Sequence, residues 1–230
     1  MFALQQAVEL YDRYQEQIAL CDEQIERTLA ALAADVEPPS DLLPAARRKK
    51  RQSNEPRFDV RAALYALLGI DLTQIHGVGP SLALKLVGEC GTEMARWPSV
   101  KHFTSWLCLA PGSKISGGKV LSSRTRRSSN RAAVLLRLAA TTVGKTDTAL
   151  GAFHRRIAGR IGKAKAITAT ARKIAVLFYN TLRYGQQYAD PGASYYEERY
   201  RQRALANLRR RAQSFGYVLQ EAPATPLEVS

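Results

Sequence analysis

Between residues 3 and 34 apolar side chains recur every seven positions, at Leu4, Tyr11, Ile18, Ile25 and Leu32. A weaker series, Ala7, Tyr14, Cys21 and Thr28, falls three places after each. At 3.6 residues per turn both series lie on one narrow stripe, the a and d positions of a heptad repeat with an imperfect d set. The pattern predicts one long helix over 1–35. Its stripe serves an oligomerising or intramolecular antiparallel coiled coil, or packs on the chain's own domain; the charged remaining faces favour the coiled coil. Residues 36–56 break the pattern. Pro38, Pro39, Pro44 and Pro56 surround the basic run Arg47 to Arg51, with almost nothing to bury, so the segment reads as a linker. The run itself serves either to touch phosphates or as a solvated hinge.

From Phe58 to about residue 215 the apolar spacing is helical, with few alternating strand patterns. Helices are expected over 58–68, 72–75, 80–89, 99–107, 129–143, 147–161, 165–185 and 194–214, with short extended pieces around 110–122. The fold class is mostly α: a coiled-coil helix, the linker, a helical domain over 57–190, then a basic helix and tail over 191–230. The helical domain carries a helix-hairpin-helix (72–90) and an exposed Ser-Gly loop (110–131).

Composition sharpens the choice of partner. The 230 residues hold 34 Lys and Arg against 20 Asp and Glu, a formal net charge of +14, and 46% of them are hydrophobic. Such an excess suits nucleic acid, through phosphate neutralisation and counterion release, and leaves enough apolar residues for a core. Three scattered cysteines, Cys21, Cys90 and Cys108, have neither disulfide-framework nor zinc spacing and suit a reducing cytoplasm. No leader pattern follows Met1, and no apolar run is long enough to span a membrane.

Two motifs carry candidate chemistry. In Ile75-His76-Gly77-Val78-Gly79-Pro80-Ser81, a Gly-x-Gly turn precedes a helix with apolar Ala83 and Leu86. Gly77 and Gly79 permit positive φ and close backbone approach, the helix start offers N–H groups to a phosphate, and Lys85 adds charge. An ordinary helical hairpin has the same pattern. The second motif is Lys114-Ile115-Ser116-Gly117-Gly118-Lys119 and the Ser/Arg run after it. A Ser-Gly-Gly turn holds a hydroxyl forward with little cover, and Arg124, Arg126, Arg127, Asn130 and Arg131 suit a strongly anionic partner. Ser116 is either a nucleophile or part of a phosphate-binding turn. No Gly-x-Ser-x-Gly elbow surrounds it, and His76, His102 and His154 are the only histidines, which is thin support for a hydrolase triad. Asp59, Asp71, Glu89 and Glu93 read as surface and capping residues rather than a metal site. The 194–214 helix, with Tyr195, Tyr196, Arg199, Arg201, Arg203 and Arg209 to Arg211, reads as a basic face for phosphates.

Taken in order, the hairpin, the Ser-Gly loop after Leu109-Ala110-Pro111, the Arg/Asn run and the Gly162 to Ala166 element resemble the C-terminal transposase domain of the insertion-sequence one-ten family, to which Piv-type DNA invertases are related. The resemblance spans roughly 57–215. It implies a DNA transposase or site-specific recombinase, with Ser116 attacking a DNA phosphodiester to form a covalent serine–DNA link for strand exchange. It implies Lys114, Gly117, Lys119, Arg124, Arg126, Arg127, Asn130 and Arg131 as strand contacts, with Gly77, Gly79 and Lys85 at the hairpin. Expected partners are DNA, a structured guide RNA as in some members, and further copies through the coiled coil. No membrane is involved, and the location is a bacterial, nucleoid-associated cytoplasm. The family's Mg2+ sits on an N-terminal RuvC-like domain with four acidic ligands, which the residues before Phe58 do not resemble. The chain is therefore expected to hold no metal or cofactor and to be an incomplete enzyme. The alternatives are a non-catalytic nucleic-acid-binding and dimerisation module, as remnant or regulator, and a helix-hairpin-helix repair or scaffold protein.

Overall fold

The computed structural model describes residues 1–47, 55–127 and 129–221. Of the basic run, residues 48–51 lie outside the described residues, as do Ser128 and the last nine positions. Eight α-helices and one two-stranded antiparallel hairpin occur among the described residues, so the architecture is mostly α. In chain order these are α1 (Phe2–Ala34), α2 (Val60–Leu68), α3 (Pro80–Cys90), α4 (Val100–Trp106), β1 (Lys114–Ser116), β2 (Lys119–Ser122), α5 (Arg131–Val143), α6 (Ala149–Ile161), α7 (Lys163–Tyr184) and α8 (Ala193–Ser214). Short 3-10 turns at Leu72–Gln74 and Met94–Arg96 introduce α3 and α4.

The boundaries follow local chemistry. Asp59, Asn130 and Thr148 each cap a helix by accepting from a backbone N–H three residues on, satisfying a donor the helix cannot. Gly69 and Gly185 end α2 and α7 in the left-handed region, which glycine enters at no steric cost.

The core is built on α7. Its Ile174, Phe178 and Tyr179 are fully buried and meet α5, α6 and α4. On α5 the facing stripe is Ala132, Ala133, Leu136, Ala139, Ala140 and Val143, whose small side chains let the helices approach closely. Tyr179 could not be buried at no cost with its hydroxyl unpaired; it donates to the Trp97 carbonyl at 2.8 Å. Phe103 fills the remaining space, stacked on Phe178 and edge-on to Trp97.

Two helices stand at the margin. α1 meets α2 through Gln15, Ala19, Asp22, Leu29 and Ala33, a different stripe from the heptad one. Asp22 is buried there and accepts from the Arg57 N–H at 2.9 Å. The heptad a residues face away, exposed by 37% to 67%. α8 has no buried residue and touches α6 through Tyr196 against Phe153, the Arg156–Glu197 ion pair, and the Arg156 guanidinium 3.5 Å over the Tyr200 ring.

The end of the Pro-rich segment is not free of the body. Tyr65 donates to the Asp41 carbonyl at 2.9 Å, Gln74 to the Ala45 carbonyl at 3.2 Å, and Arg61 to the Pro44 carbonyl. Arg47, the first member of the basic run, donates to the carbonyls of Thr73 and Ile75 rather than pointing to solvent. The physical reason is the short 3-10 turn, whose carbonyls have few partners within the turn and are met by a guanidinium instead.

Candidate nucleic-acid interface

The Ser-Gly loop is a β-hairpin. Ser116 and Lys119 are directly opposed across the two strands, and Gly117 and Gly118 form the two-residue turn between them with φ of 53° and 74°. A two-residue turn whose central residues are both left-handed matches the right-handed twist of the strands, and paired glycines are the cheapest way to build it. Side chains of directly opposed residues share a face, so Lys119 stands beside Ser116 across the ladder, while a register shift between Lys114 and Ile115 interrupts the regular pairing before Lys114. Ile115 and Val120 are cross-strand partners on the other face, and both are largely exposed. Every side chain from Pro111 to Val120 is exposed, so Ser116 is open to solvent with Lys119 opposite it.

Below the tip, the two arms of the stem are joined. Pro111 and Thr125 form an isolated antiparallel bridge, and the Gly112 N–H donates to the Arg124 carbonyl at 3.0 Å. Arg126 then reaches to the carbonyl of Ser105 at the end of α4, 3.0 Å away.

The Arg/Asn run thus separates by role. Arg126 anchors the loop, Asn130 caps α5 through its side-chain oxygen on the Ala133 N–H at 3.1 Å, and Arg131 pairs with Glu89 at 3.1 Å while remaining largely exposed. Lys114, Lys119, Arg124 and Arg127 are exposed and form no ion pair among the described residues. Of the cations in the two motifs, these four and exposed Lys85 on α3 are open to an anionic partner.

At the other motif Gly79 caps α3 and Pro80 opens it, a favoured first position because its missing N–H would be unpaired anyway. Gly77 has φ 88° and also lies against α5: a Cβ there would sit 2.5 Å from Val143 Cγ2 and 3.0 Å from the Ala139 carbonyl. The glycine is needed twice, once for its backbone and once for the contact. This contact places Gly77 beside the C-terminal end of α5, whereas Asn130 and Arg131 form its N-terminal end. Twelve residues at a rise of 1.5 Å put these ends roughly 18 Å apart. The structure therefore does not merge the two motifs into one cluster.

Several supporting residues leave no mark in the sequence pattern. Asp71, expected as a surface or capping residue, does cap the first 3-10 turn but is buried rather than at the surface. Its carboxylate accepts from Arg61 at 2.6 Å, from Gln74 at 2.7 Å, and from both the N–H and hydroxyl of Thr73. Burial alone would raise its pKa, but these donors from Arg61, Thr73 and Gln74 outweigh it and hold the carboxyl below its usual range. The Asp-x-Thr spacing is an available signal for the cap; the Arg61 partner ten residues upstream has none. Behind the turn, half-buried His76 meets the Tyr188 ring edge-on at 6.0 Å. Burial, and then the nearby Arg47 charge, lower its pKa against the opposing pull of Asp190. Tyr188 and the N–H groups of Ala149 and Gly192 all donate to Asp190, tying the 185–192 strap to α6.

Of the acidic residues near the two motifs, Asp59 caps α2, Asp71 caps the first 3-10 turn and pairs with Arg61, and Glu89 pairs with Arg131. Among the described residues no group of three His, Cys, Asp or Glu side chains is placed to hold a metal ion. No helix among them is long and apolar enough to cross a membrane.

Residues 69–155 match the transposase IS116/IS110/IS902 family. The match is consistent with the family's C-terminal transposase domain and contains the Gly77–Gly79 turn, the Ser116 hairpin, the Arg/Asn run and α5. No curated protein and no solved structure matches the chain. The matched residues lie within the 57–215 over which the sequence resembles the family, and α1, α7 and α8 lie outside the match. A transposase function in general, with DNA as partner, is what the match supports.

Proposed function

We propose that the chain is the DNA-binding, serine-bearing part of a DNA transposase, with Ser116 as nucleophile. The observation that carries this reading is the hairpin tip within the matched segment: an uncovered serine beside a Gly-Gly turn, with Lys119 directly across and exposed Lys114 two residues before it. A phosphodiester at the tip would meet the Lys119 ammonium beside the attacking oxygen, with Lys114 on the same strand, which concentrates positive charge where negative charge develops on the phosphate.

In the chemistry proposed, Ser116 Oγ forms a bond to phosphorus while the bond to one deoxyribose oxygen breaks. The serine proton passes to solvent or a base, and the departing oxygen takes up a proton. The new phosphoester replaces the old one, so strand exchange and religation by the reverse attack need no nucleotide. Arg124 and Arg127 neutralise neighbouring phosphates, Arg126 and Asn130 fix the loop and helix that carry them, and the start of α3 offers N–H groups to the duplex backbone. Mg2+ belongs to a separate acidic domain in this reading. A structured RNA and oligomerisation through α1 complete the proposed assembly.

The test is a denaturing-gel search for a covalent protein–DNA adduct on supercoiled DNA carrying the element's ends. Wild type and Ser116→Ala are compared with Mg2+, with and without a RuvC-like half and candidate RNA, a related full-length transposase serving as positive control. An adduct that needs Ser116, with DNA affinity nearly unchanged in Ser116→Ala, is expected. No adduct under any condition would leave a second reading, a non-catalytic DNA-binding and dimerising module. The engagement of Asp59, Asp71 and Glu89 in caps and ion pairs favours that alternative when the chain acts alone.

A further inference from the structure

The hairpin has two faces of opposite chemistry, and the function proposed above uses only one of them. Ser116 and Lys119 form its last cross-strand pair, and Ile115 and Val120 form the next pair, on the other face. Leu121 follows at the register shift, where β2 has one residue more than β1. Ile115, Val120 and Leu121 are exposed by 64%, 62% and 69%, although water-facing strand positions are ordinarily polar. We propose that the hairpin is a wedge: its polar face holds the phosphate beside Ser116 while Ile115 and Val120 enter the neighbouring base stack and open it. This rests on DNA as the partner of the hairpin and adds a DNA-opening role that the serine chemistry does not contain.

Charge selects the kind of partner. Lys114, Lys119, Arg124 and Arg127 flank the aliphatic residues along the chain and form no ion pair among the described residues, so the surface that covers this patch is anionic. The aliphatic side chains then select the state of the DNA. In a stacked duplex the groove edges carry hydrogen-bond donors and acceptors, apart from the thymine methyl group. The large apolar surfaces of DNA are the faces of the bases, which stacking hides. Ile115 and Val120 are therefore buried on DNA only where the stack has opened, and strand exchange needs such an opening at the joint.

The arm is long enough to deliver them. From the Pro111–Thr125 bridge to Ser116 the chain advances up to roughly 16 Å at 3.3 Å per residue. A two-stranded ribbon fits the major groove, which is about 8.5 Å deep, so the tip reaches base level while the bridge stays outside. Opposed strand side chains stand about 5 Å apart at Cβ, so Ile115 and Val120 act together as one apolar edge. Apolar side chains that enter a base step part its bases and kink the duplex.

The test uses the full chain carrying Ser116→Ala, so that covalent chemistry plays no part. Affinities are compared for two duplexes of equal length, one fully paired and one with adjacent mispairs at its centre, each carrying 2-aminopurine beside the centre. Mispaired bases are easier to unstack, so binding to the mispaired duplex is expected to be roughly tenfold tighter. The 2-aminopurine emission should rise as the base leaves the stack. Ile115→Thr with Val120→Thr keeps β-branched side chains at exposed positions, so the thermal midpoint should hold, while both the preference and the emission rise are lost. Lys119→Gln should weaken binding to both duplexes alike and keep the preference. Equal affinity of the starting protein for the two duplexes, or a preference that survives in the Thr variant, would overturn the wedge and leave the DNA-binding reading standing. A Thr variant that keeps the preference but loses capture of a RuvC-like half would assign the patch to a protein surface and overturn it too. Binding to neither duplex would sink the wedge and the DNA-binding reading together.

Discussion

At the scale of single residues, the basic run shows how unlike neighbouring cations are. Lys114, Lys119, Arg124 and Arg127 project from the hairpin without an ion partner among the described residues, while Arg126 is bonded to Ser105 and Asn130 is a helix cap. Replacing any of the first four with Gln is expected to weaken DNA binding at all sequences alike. Each such change should lower the slope of log affinity against log salt by about 0.9 on B-form DNA, read from a salt titration. Gly77 makes a different prediction. Gly77→Ala forces a side chain into the left-handed region and against Val143, and it should cost about 2–4 kcal/mol in urea unfolding. The need for glycine was legible in the motif; the Val143 contact was not, because it joins residues 66 positions apart.

At the scale of elements, local chemistry was easy to read and long-range chemistry was not. Helix periodicity and capping residues placed nearly every α-helix within about two residues of its observed limits, because both signals act over one or two turns. The Ser-Gly loop was legible as an exposed turn, since Gly-Gly between β-formers has few other uses. The Arg61–Asp71 pair, the docking of Arg47 and the Asp190 staple depend on the tertiary fold and have no sequence period. Arg126 belongs to the same hidden class: in the sequence it is one arginine among several, and in the structure it fastens the hairpin stem to α4. Arg126→Ala should leave the thermal midpoint nearly unchanged and raise the rate of proteolytic cutting within 111–127 several-fold. An unchanged cutting rate would show that the Pro111–Thr125 bridge suffices alone.

For the whole molecule, buried titratable groups set how stability responds to acid. His76 and His154 both have pKa values below the ordinary 6.5, in each case chiefly through burial. The unfolded chain therefore binds protons more readily, and stability is full above the unfolded value and falls as pH drops through 6.5. Asp71 has a depressed folded pKa too, so its contribution is present above the usual carboxylate range and is lost as pH falls below about 4. Urea midpoints taken from pH 8 to pH 3 should show two successive declines, and His76→Gln should flatten the first. A midpoint constant between pH 8 and pH 5 would contradict the histidine assignment.

The bareness of the hairpin has a consequence for timing. A serine ester formed at an open tip is within reach of water, which would consume it and leave a broken strand in the chromosome. Nothing in the described residues roofs Ser116, and the aliphatic pair behind it, Ile115 and Val120, is left wet. Under the proposed chemistry the nucleophile is thus idle by default, and it becomes both reactive and sheltered only when another surface closes over the tip. Such an arrangement makes assembly itself the safety catch against stray cutting.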